Sequence, residues 1–408
     1  MPTARDFISG SAELYRGTLL RDVVPFWLKH AIDPGSGAIN NCIDDEGNLL
    51  STDRYLWSQG RALWTFSALC NRIERRPEWL SVADGLFRYL LHNGRDDEGR
   101  WMYRLDADGN VLDGDISIYV DGFVMNGLGE YYLATRDPRA SDLAAETFHN
   151  VNARLNSPGS YGVAPSRVPE NTKTLGVPMI VSFVFYNLGR ALDRADMRQA
   201  GLACAKEVLT DFYLPRDGIL VELAPQERGH AATQRRYCVP GHAIEACWFL
   251  MSMFEETGET DLVERCCELV AKHIELGWDE DWGGIRLGVD LDGEEPNRDT
   301  DIKPWWVQVE ALVATAYAYL HTGSEVFLDW HRKLRDYAFG HYPTPAGEWT
   351  QWLDRRGHKT ESAALPVKDP FHLPRGLMYL LELFEKRIPE RWGWGSSPPK
   401  QPATETGN

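Results

Sequence analysis

The chain has 408 residues, with 60 Asp and Glu against 43 Lys and Arg, and a formal net charge of −17. This balance excludes nucleic acid and anionic membrane surfaces as expected partners, because phosphate binding depends on clustered Lys and Arg side chains. A hydrophobic share of 43% with 15 tryptophans predicts a soluble globular protein with a large core. Flat indole faces suit a sugar-binding cleft as well as a core.

The N-terminal stretch gives no sign of export or of membrane insertion. It reads MPTARDFISGSAELYRGTLL and lacks the apolar region of a signal peptide. The longest apolar run, VPMIVSFVF, is too short to cross a membrane. The seven cysteines include no CxxC pair, which favours reduced thiols. We therefore expect a cytoplasmic protein.

Helical periodicity runs through most of the chain and comes in pairs. Six segments are apolar almost all round and start about sixty residues apart, namely 56–70, 118–133, 177–192, 241–256, 303–320 and 371–386. Amphipathic segments with charged faces lie between them. A helix that is apolar all round belongs inside a protein, and one with a polar stripe belongs outside. The pattern predicts an all-α fold, an (α/α)6 barrel of twelve helices. We expect one domain over residues 1–390, followed by a flexible Pro-, Gly- and Ser-rich tail over 391–408.

Short β-hairpins are predicted in the links that lead into the inner helices. Asp and Gly turns occur in NCIDDEGNLLS, YRLDADGNVLDGD, LGVDLDGEEP and WLDRRGHKTE. The segment DADGNVLDGDIS also suggests a calcium loop, but its glycine is misplaced and its twelfth position is not Glu. A plain hairpin turn is the preferred interpretation.

Inner helices that are separated by one outer helix run parallel, so their N-termini meet at one end of the barrel. First-turn residues of all six should then face one cavity. The polar and large residues there are Gln59, Arg61, Met179, His242, Glu245, Lys303, Trp305, Trp306, Glu310, His372 and Arg375. Two histidines, two arginines and two glutamates among tryptophans predict a carbohydrate-sized pocket with acid–base groups, although each of these residues could instead form a structural ion pair.

Two other kinds of site are disfavoured. His242 and Glu245 lie three positions apart and could chelate a metal, but Arg61, Lys303 and Arg375 would repel a cation. No Gly-rich phosphate loop precedes a helix, so nucleotide chemistry has no support. We predict neither metal nor cofactor.

The chain resembles the N-acylglucosamine 2-epimerase superfamily, which includes cellobiose 2-epimerases and mannose isomerases. The resemblance extends from about Leu14 to Phe384 and is carried by RYLWSQGRALW, LGVPMIV, VPGHAIEACWFL, DIKPWWVQVEAL, GEWTQWLDRRG and DPFHLPRGL. It implies the same barrel. It also implies proton transfer at carbon 2 of an open-chain sugar through a cis-enediolate, with no cofactor.

The resemblance assigns roles to the candidate residues. His242 and His372 would be the two acid–base groups, and Arg61 would stabilise the enediolate oxygen. The expected substrate-binding residues are Glu245, Glu310, Lys303, Trp305, Trp306, Arg375, Met179 and Gln59. The glutamates would orient the histidines or bind hydroxyls, and the others would shape the pocket.

The resemblance leaves the substrate open. Cellobiose epimerases and mannose isomerases look to carry a histidine at the position of Met179, whereas methionine there resembles the N-acetylglucosamine 2-epimerase branch. Gln308, however, replaces a residue that is often histidine in that branch. The preferred prediction is interconversion of N-acetylglucosamine and N-acetylmannosamine. Mannose–fructose isomerisation and mannose–glucose epimerisation are close alternatives.

Two functions of other classes also remain open. Glycoside hydrolases on this fold use two carboxylates rather than two histidines, which disfavours them. A non-catalytic binding protein on the same fold remains an alternative. The expected partner is a small sugar, with a homodimer as a possible assembly. Activation by ATP, known among animal members, is not carried over to this chain.

Overall fold

The structure is a computed structural model that describes residues 3–157, 159–226, 236–293, 300–360 and 365–394. Of the predicted C-terminal tail, residues 395–408 lie outside the described residues. Within the described part of the chain, no helix combines the length and the apolarity that a bilayer crossing requires.

Helices make up most of the described chain and confirm the predicted barrel. In chain order they are α1 (Ala4–Gly17), α2 (Val24–His30), α3 (Leu56–Ala68), α4 (Pro77–Asn93), α5 (Ile118–Thr135), α6 (Pro138–Leu155), α7 (Gly176–Ala191), α8 (Ala195–Asp211), α9 (Pro240–Thr257), α10 (Thr260–Gly277), α11 (Trp305–Thr322), α12 (Glu325–His341), α13 (His372–Glu382) and α14 (Ile388–Arg391). Short π-helical turns join α1 to α2 (Thr18–Val23), extend α3 (Leu69–Ile73) and join α13 to α14 (Leu383–Arg387).

The odd-numbered helices from α3 to α13 form the inner ring, and α1–α2 with the even-numbered helices from α4 to α12 surround them. Helix α11 illustrates the difference, since every residue from Val307 to Leu320 is buried. Local signals set the ends of the helices. Proline occupies the first turn of α4, α6 and α9, and left-handed Gly258 and Gly323 end α9 and α11.

Helices α3 and α5 approach each other closely because glycines lie between them. A Cβ atom added at Gly60 would lie 2.7 Å from the backbone nitrogen of Val124. One added at Gly127 would lie 2.5 Å from the carbonyl oxygen of Gly60. Neither position can hold a side chain without moving a helix backbone.

Thirteen short strands occur in the described links between helices. They are β1 (Cys42–Ile43), β2 (Leu49–Ser51), β3 (Arg54–Tyr55), β4 (Arg104–Leu105), β5 (Val111–Asp113), β6 (Thr172–Thr174), β7 (Tyr213–Leu214), β8 (Ile219–Leu220), β9 (Leu223–Pro225), β10 (Tyr237–Cys238), β11 (Val289–Asp290), β12 (Lys303–Pro304) and β13 (Trp352–Leu353). All pairings are antiparallel: β1–β2, β3–β4–β5, β6–β9, β7–β8, β10–β11 and β12–β13.

Three of the four predicted hairpins are confirmed: β1–β2, β4–β5 and the turn that follows β13. In the second of them, Asp106 accepts hydrogen bonds from the backbone N–H groups of Asp108 and Asn110, as expected for a plain turn. In the third, the Thr360 N–H donates to the Trp352 carbonyl beside the bridge between Leu353 and Lys359, and β13 also pairs with β12.

The fourth prediction needs correction. Strand β11 pairs with β10 rather than within its own link, of which residues 294–299 lie outside the described residues.

A group of aromatic rings, the aromatic plug, fills the middle of the barrel. Trp248 stacks on Tyr317 with ring centroids 5.8 Å apart and packs against Tyr379 at 5.1 Å. Trp64 stacks on Tyr379 at 6.5 Å. All four residues are buried, and their contacts join α3, α9, α11 and α13 inside the inner ring.

Candidate active site

The two predicted catalytic histidines contact the same tryptophan. His242 is in the first turn of α9, and His372 opens α13. The ring centroid of Trp306 is 5.2 Å from that of His242 and 5.6 Å from that of His372. Gly241 permits this packing, because an added Cβ would lie 2.7 Å from the Trp306 ring. The structure thus brings both histidines to one place, as the sequence predicts.

His242 is bound to a carboxylate outside its own helix. Its Nδ1 lies 2.9 Å from Oε2 of Glu222, in the link between β8 and β9, and the Thr174 hydroxyl donates to Oε1 of the same carboxylate at 2.8 Å. An ionised carboxylate only accepts hydrogen bonds, so Nδ1 carries the proton. Burial lowers the pKa of His242, but the charge and hydrogen bond of Glu222 outweigh it and leave this pKa raised.

His372 has a similar partner but an opposite electrostatic environment. Its Nδ1 lies 2.7 Å from Oε1 of Glu310 in α11. Burial, reinforced by Arg61 and Arg375, lowers the pKa of His372 to about 3 despite the nearby charge of Glu245. His372 is therefore neutral at physiological pH, with Nε2 as its unprotonated nitrogen.

A layer of buried charge lies next to His372. The Arg375 guanidinium donates to Glu245 and, at 2.7 Å, to Oε1 of Glu310, whose second oxygen accepts the Trp248 indole N–H at 2.8 Å. The side chain of Arg375 is only 3% exposed. Glu245, Glu310 and His372 place ligand atoms within 4.8 Å of one another, an arrangement that could hold a metal ion. However, the guanidinium already binds both carboxylates and is the cation of this cluster.

Arg61 is held against the segment that leads into α13. It donates to Oδ2 of Asp369 at 3.1 Å, and its guanidinium lies over the rings of Phe123 at 3.9 Å and Phe371 at 4.9 Å. Burial lowers the pKa of Arg61, with the charge of Asp369 opposing it. The Thr65 hydroxyl binds the carbonyl of Pro370, which anchors the same segment to α3.

Three predicted site residues lie elsewhere or face elsewhere. Gln59 is fully buried and bonds to the N–H and carbonyl of Ile39, so it fastens the link before α3. Lys303 is also fully buried and pairs with Asp279 at 3.3 Å. Each polar group is bound by its own connecting loop, and contact of either residue with substrate stays a prediction. Met179 is 1% exposed in the first turn of α7, and its contact with substrate stays a prediction.

The remaining predicted aromatic residue lies near the cluster. Trp305 is half-buried, and its ring centroid is 6.3 Å from that of His372 and 6.2 Å from that of Trp352.

Sequence reasoning missed two carboxylates of the site, Glu222 and Asp369. Both lie in links rather than in the first turn of a helix, and each binds a residue of a different element. Asp369 stands three positions before His372 in the DPFH motif, which is a signal that could have found it. Glu222 lies twenty positions from His242 in a link with no regular pattern, and no local signal points to it.

Comparison with known proteins decides the family. Residues 37–374 match the N-acylglucosamine 2-epimerase (GlcNAc 2-epimerase) family. The chain belongs to this family. Its members are epimerases, so the protein is an isomerase, as predicted.

Relatives of two kinds resemble the chain along nearly its whole length. N-acylglucosamine 2-epimerase of Bos taurus is 27% identical over 382 residues, 90% of this chain and 89% of the relative. Cellobiose 2-epimerase of Bacteroides fragilis is 25% identical over 384 residues, 88% of this chain and 95% of the relative. The solved structure of cellobiose 2-epimerase from Bacillus thermoamylovorans B4167 superposes with a TM-score of 0.81 at 22% identity, covering 92% of this chain and 99% of that one. This last likeness confirms the barrel.

Proposed function

We propose that this member of the N-acylglucosamine 2-epimerase family interconverts N-acetylglucosamine and N-acetylmannosamine by proton transfer between the sugar and two histidines. One histidine removes the proton from carbon 2 of the open-chain sugar, and the other delivers a proton to the opposite face of the same carbon. The intermediate is an enolate, or an enediolate when carbon 2 carries a hydroxyl group.

The observation that carries this proposal is that two histidines contact Trp306, each with its Nδ1 bound to a carboxylate, which leaves Nε2 for the substrate. General acid–base catalysis on two faces needs one neutral base and one protonated acid at the same moment. The carboxylate of Glu222 raises the pKa of His242, whereas burial lowers the pKa of His372 to about 3. This difference favours His242 as the acid and His372 as the base.

Arg61 would stabilise the negative charge that develops on the sugar oxygen at carbon 1. Its side chain is 13% exposed, and rings surround it, so its charge is poorly screened by water. One carboxylate oxygen of Asp369 already binds one guanidinium nitrogen, which fixes the orientation of the group.

The choice of an N-acetylated sugar rests on two arguments. Met179 presents a thioether rather than a histidine at the start of α7, and a thioether packs against an apolar group such as an acetamido methyl. In addition, an acetamido group at carbon 2 makes a ketose product chemically unsuitable, so the epimer is the expected product.

Solvent deuterium provides the test. In D2O the wild-type enzyme should place deuterium at carbon 2 of both N-acetylated sugars while it epimerises them. His242→Ala and His372→Ala should each lower turnover by roughly 10²–10⁴-fold. Each should also retain carbon 2 exchange in only one epimer, a different one for each variant. His358→Ala, at a histidine whose side chain is 74% exposed on a turn, is the matched control and should leave turnover unchanged.

Other sugars distinguish the alternatives. Glucose, mannose, fructose and cellobiose should be assayed beside the N-acetylated pair. If mannose yields fructose while N-acetylmannosamine is untouched, an aldose–ketose isomerase replaces the proposal. Binding of sugars without any exchange at carbon 2 would instead indicate a non-catalytic binding protein.

A further inference from the structure

We propose that Glu222, held in place by Thr174, is the positioning residue that makes His242 the proton donor of the resting enzyme. This inference rests on the proposed two-histidine function and adds a residue to it. Glu222 would fix which nitrogen of His242 faces the substrate and would keep the ring protonated, so that the two histidines are unequal before any sugar binds.

The difference between the two carboxylates supports this assignment. Glu310 shares its charge with the Arg375 guanidinium, so little of that charge remains to stabilise a cation on His372. The other partner of Glu222 is the neutral hydroxyl of Thr174. The Glu222 side chain is 12% exposed and that of His242 is 32% exposed, so the carboxylate is better shielded from water than the imidazole it binds.

Among the described residues, no Lys or Arg is one of the groups whose charge acts on His242 beside Glu222. The charges that act on His242 come from Glu222 and from Glu245 on its own helix, and the neighbour on α11 is Trp306. The titratable groups near Glu222 are Tyr119 of α5 and Cys238 of β10, whose pKa values burial raises. Both are neutral at physiological pH, so Glu222 is the larger of the two carboxylate charges that raise the pKa of His242.

Hydrogen bonds of the surrounding backbone fix the position of Glu222. The backbone N–H of Glu222 donates to the carbonyl of Tyr237 at 2.9 Å. Two residues earlier, the N–H of Leu220 donates to Nε2 of His273 at 3.0 Å, which ties β8 to α10. These bonds place Glu222 beside the start of α9, independently of His242 itself.

A protonated His242 beside a neutral His372 favours one direction of proton transfer. An enzyme at rest with His242 protonated and His372 neutral is ready for the epimer whose carbon 2 proton faces His372. For that epimer, kcat/KM should fall as pH rises through the pKa of His242, because the proton donor is then lost.

The test is the titration of His242 in the free protein, followed by NMR with labelled histidine. Glu222→Gln keeps the shape of the side chain but removes its charge, and we expect it to lower the pKa of His242 by at least about one unit. The high-pH limb of kcat/KM should move to lower pH by the same amount. Glu207→Gln is the matched control, since Glu207 pairs with Lys173 instead, and it should leave both measurements unchanged.

A second variant separates positioning from charge. Thr174→Val should preserve a raised pKa at His242 but lower kcat more than it changes KM, because the carboxylate is charged but less well oriented. Thr172→Val on the same strand, whose hydroxyl binds only the Pro169 carbonyl among the contacts described, is its control. An unchanged pKa of His242 in Glu222→Gln would overturn the inference. The NMR titration needs no sugar, so a failure of the proposed epimerisation would leave this result readable.

Discussion

At the scale of single residues, Arg375 has the largest expected effect on stability. It neutralises two buried carboxylates, Glu245 and Glu310, and removing it would leave both without a cation in the barrel interior. Breaking a buried pair in this way costs about 3–5 kcal/mol. We expect Arg375→Met to lose stability of this order in urea unfolding. Arg139→Met, which breaks the exposed pair with Asp137, should leave the unfolding midpoint unchanged, and an equal loss in both variants would contradict this account.

The same guanidinium bears on metal dependence. Since Arg375 binds both carboxylates of the Glu245, Glu310 and His372 cluster, a divalent cation entering there would have to displace a bound positive charge. We therefore expect turnover to survive exhaustive EDTA treatment and to need no nicotinamide. Activity that disappears on chelation and returns with a divalent metal would refute this prediction.

The sequence predicts which side chains come together better than it predicts their partners. First-turn positions of the inner helices predict a cluster, and the structure places in contact Glu245, Glu310, His372 and Arg375. The indole of Trp306 contacts the rings of both histidines. Gln59 and Lys303 are held differently, because a polar side chain in a first turn can bond to the loop that enters its own helix. Helical periodicity predicts the direction in which a side chain points, but it does not predict which neighbouring group forms a hydrogen bond with it.

At the scale of elements, the contact between α3 and α5 positions Arg61. Gly60 precedes Arg61, and Phe123, which packs on the Arg61 guanidinium, lies in the helix that touches Gly60. Gly60→Ala would force the two backbones apart, which typically costs about 1–3 kcal/mol, and would move the guanidinium. We expect lower stability in urea unfolding and a lower kcat.

Gly122 offers a control on α5, at the side that faces α7. An added Cβ there would meet only a methyl group of Ile180, at an ordinary distance of 3.5 Å. Gly122→Ala should therefore be neutral or should stabilise α5 by up to about 1 kcal/mol. If both variants behave alike, close packing at Gly60 is not what positions Arg61.

Helices were more predictable than strands for a physical reason. A buried helix of eighteen residues, such as α9 or α11, repeats its apolar pattern over several turns. Strands of two residues carry no such repeat, and their partners can lie in another link. Strand β11 illustrates this, because its sequence suggests a local turn while its backbone pairs with β10, about fifty residues earlier.

At the scale of the whole molecule, buried neutral histidines make the fold sensitive to acid. The pKa values of His273, His321, His331 and His372 are lowered, chiefly by burial, and those of His331 and His372 reach about 3. The unfolded chain therefore binds more protons than the folded one once the pH falls below about 6.5. His242 acts in the opposite sense, since its pKa is raised, and so do the buried carboxyl groups of Asp121, whose pKa is about 7, and Glu348; together they offset part of this difference.

We therefore expect the free energy of unfolding to decrease as the pH falls from about 6.5 to 5, by up to about 1.4 kcal/mol per pH unit for each uncompensated histidine. His331 can be tested separately, because it links α1 to α11 through Tyr15 at 2.6 Å and Thr315 at 3.0 Å. His331→Gln should weaken the fold at pH 7 but flatten the dependence on pH between 6.5 and 5. Urea titrations at several pH values measure both, and an unchanged slope would contradict the assignment.

The aromatic plug bears on the route of a ligand through the barrel. Trp248, Tyr317, Tyr379 and Trp64 are buried and pack against one another inside the inner ring. We therefore expect the substrate of the proposed epimerisation to enter and leave at the barrel end that carries the inner-helix N-termini. A sugar and its epimer differ at one carbon, so product should compete with substrate for the same opening. As product accumulates, net conversion should slow before substrate is exhausted.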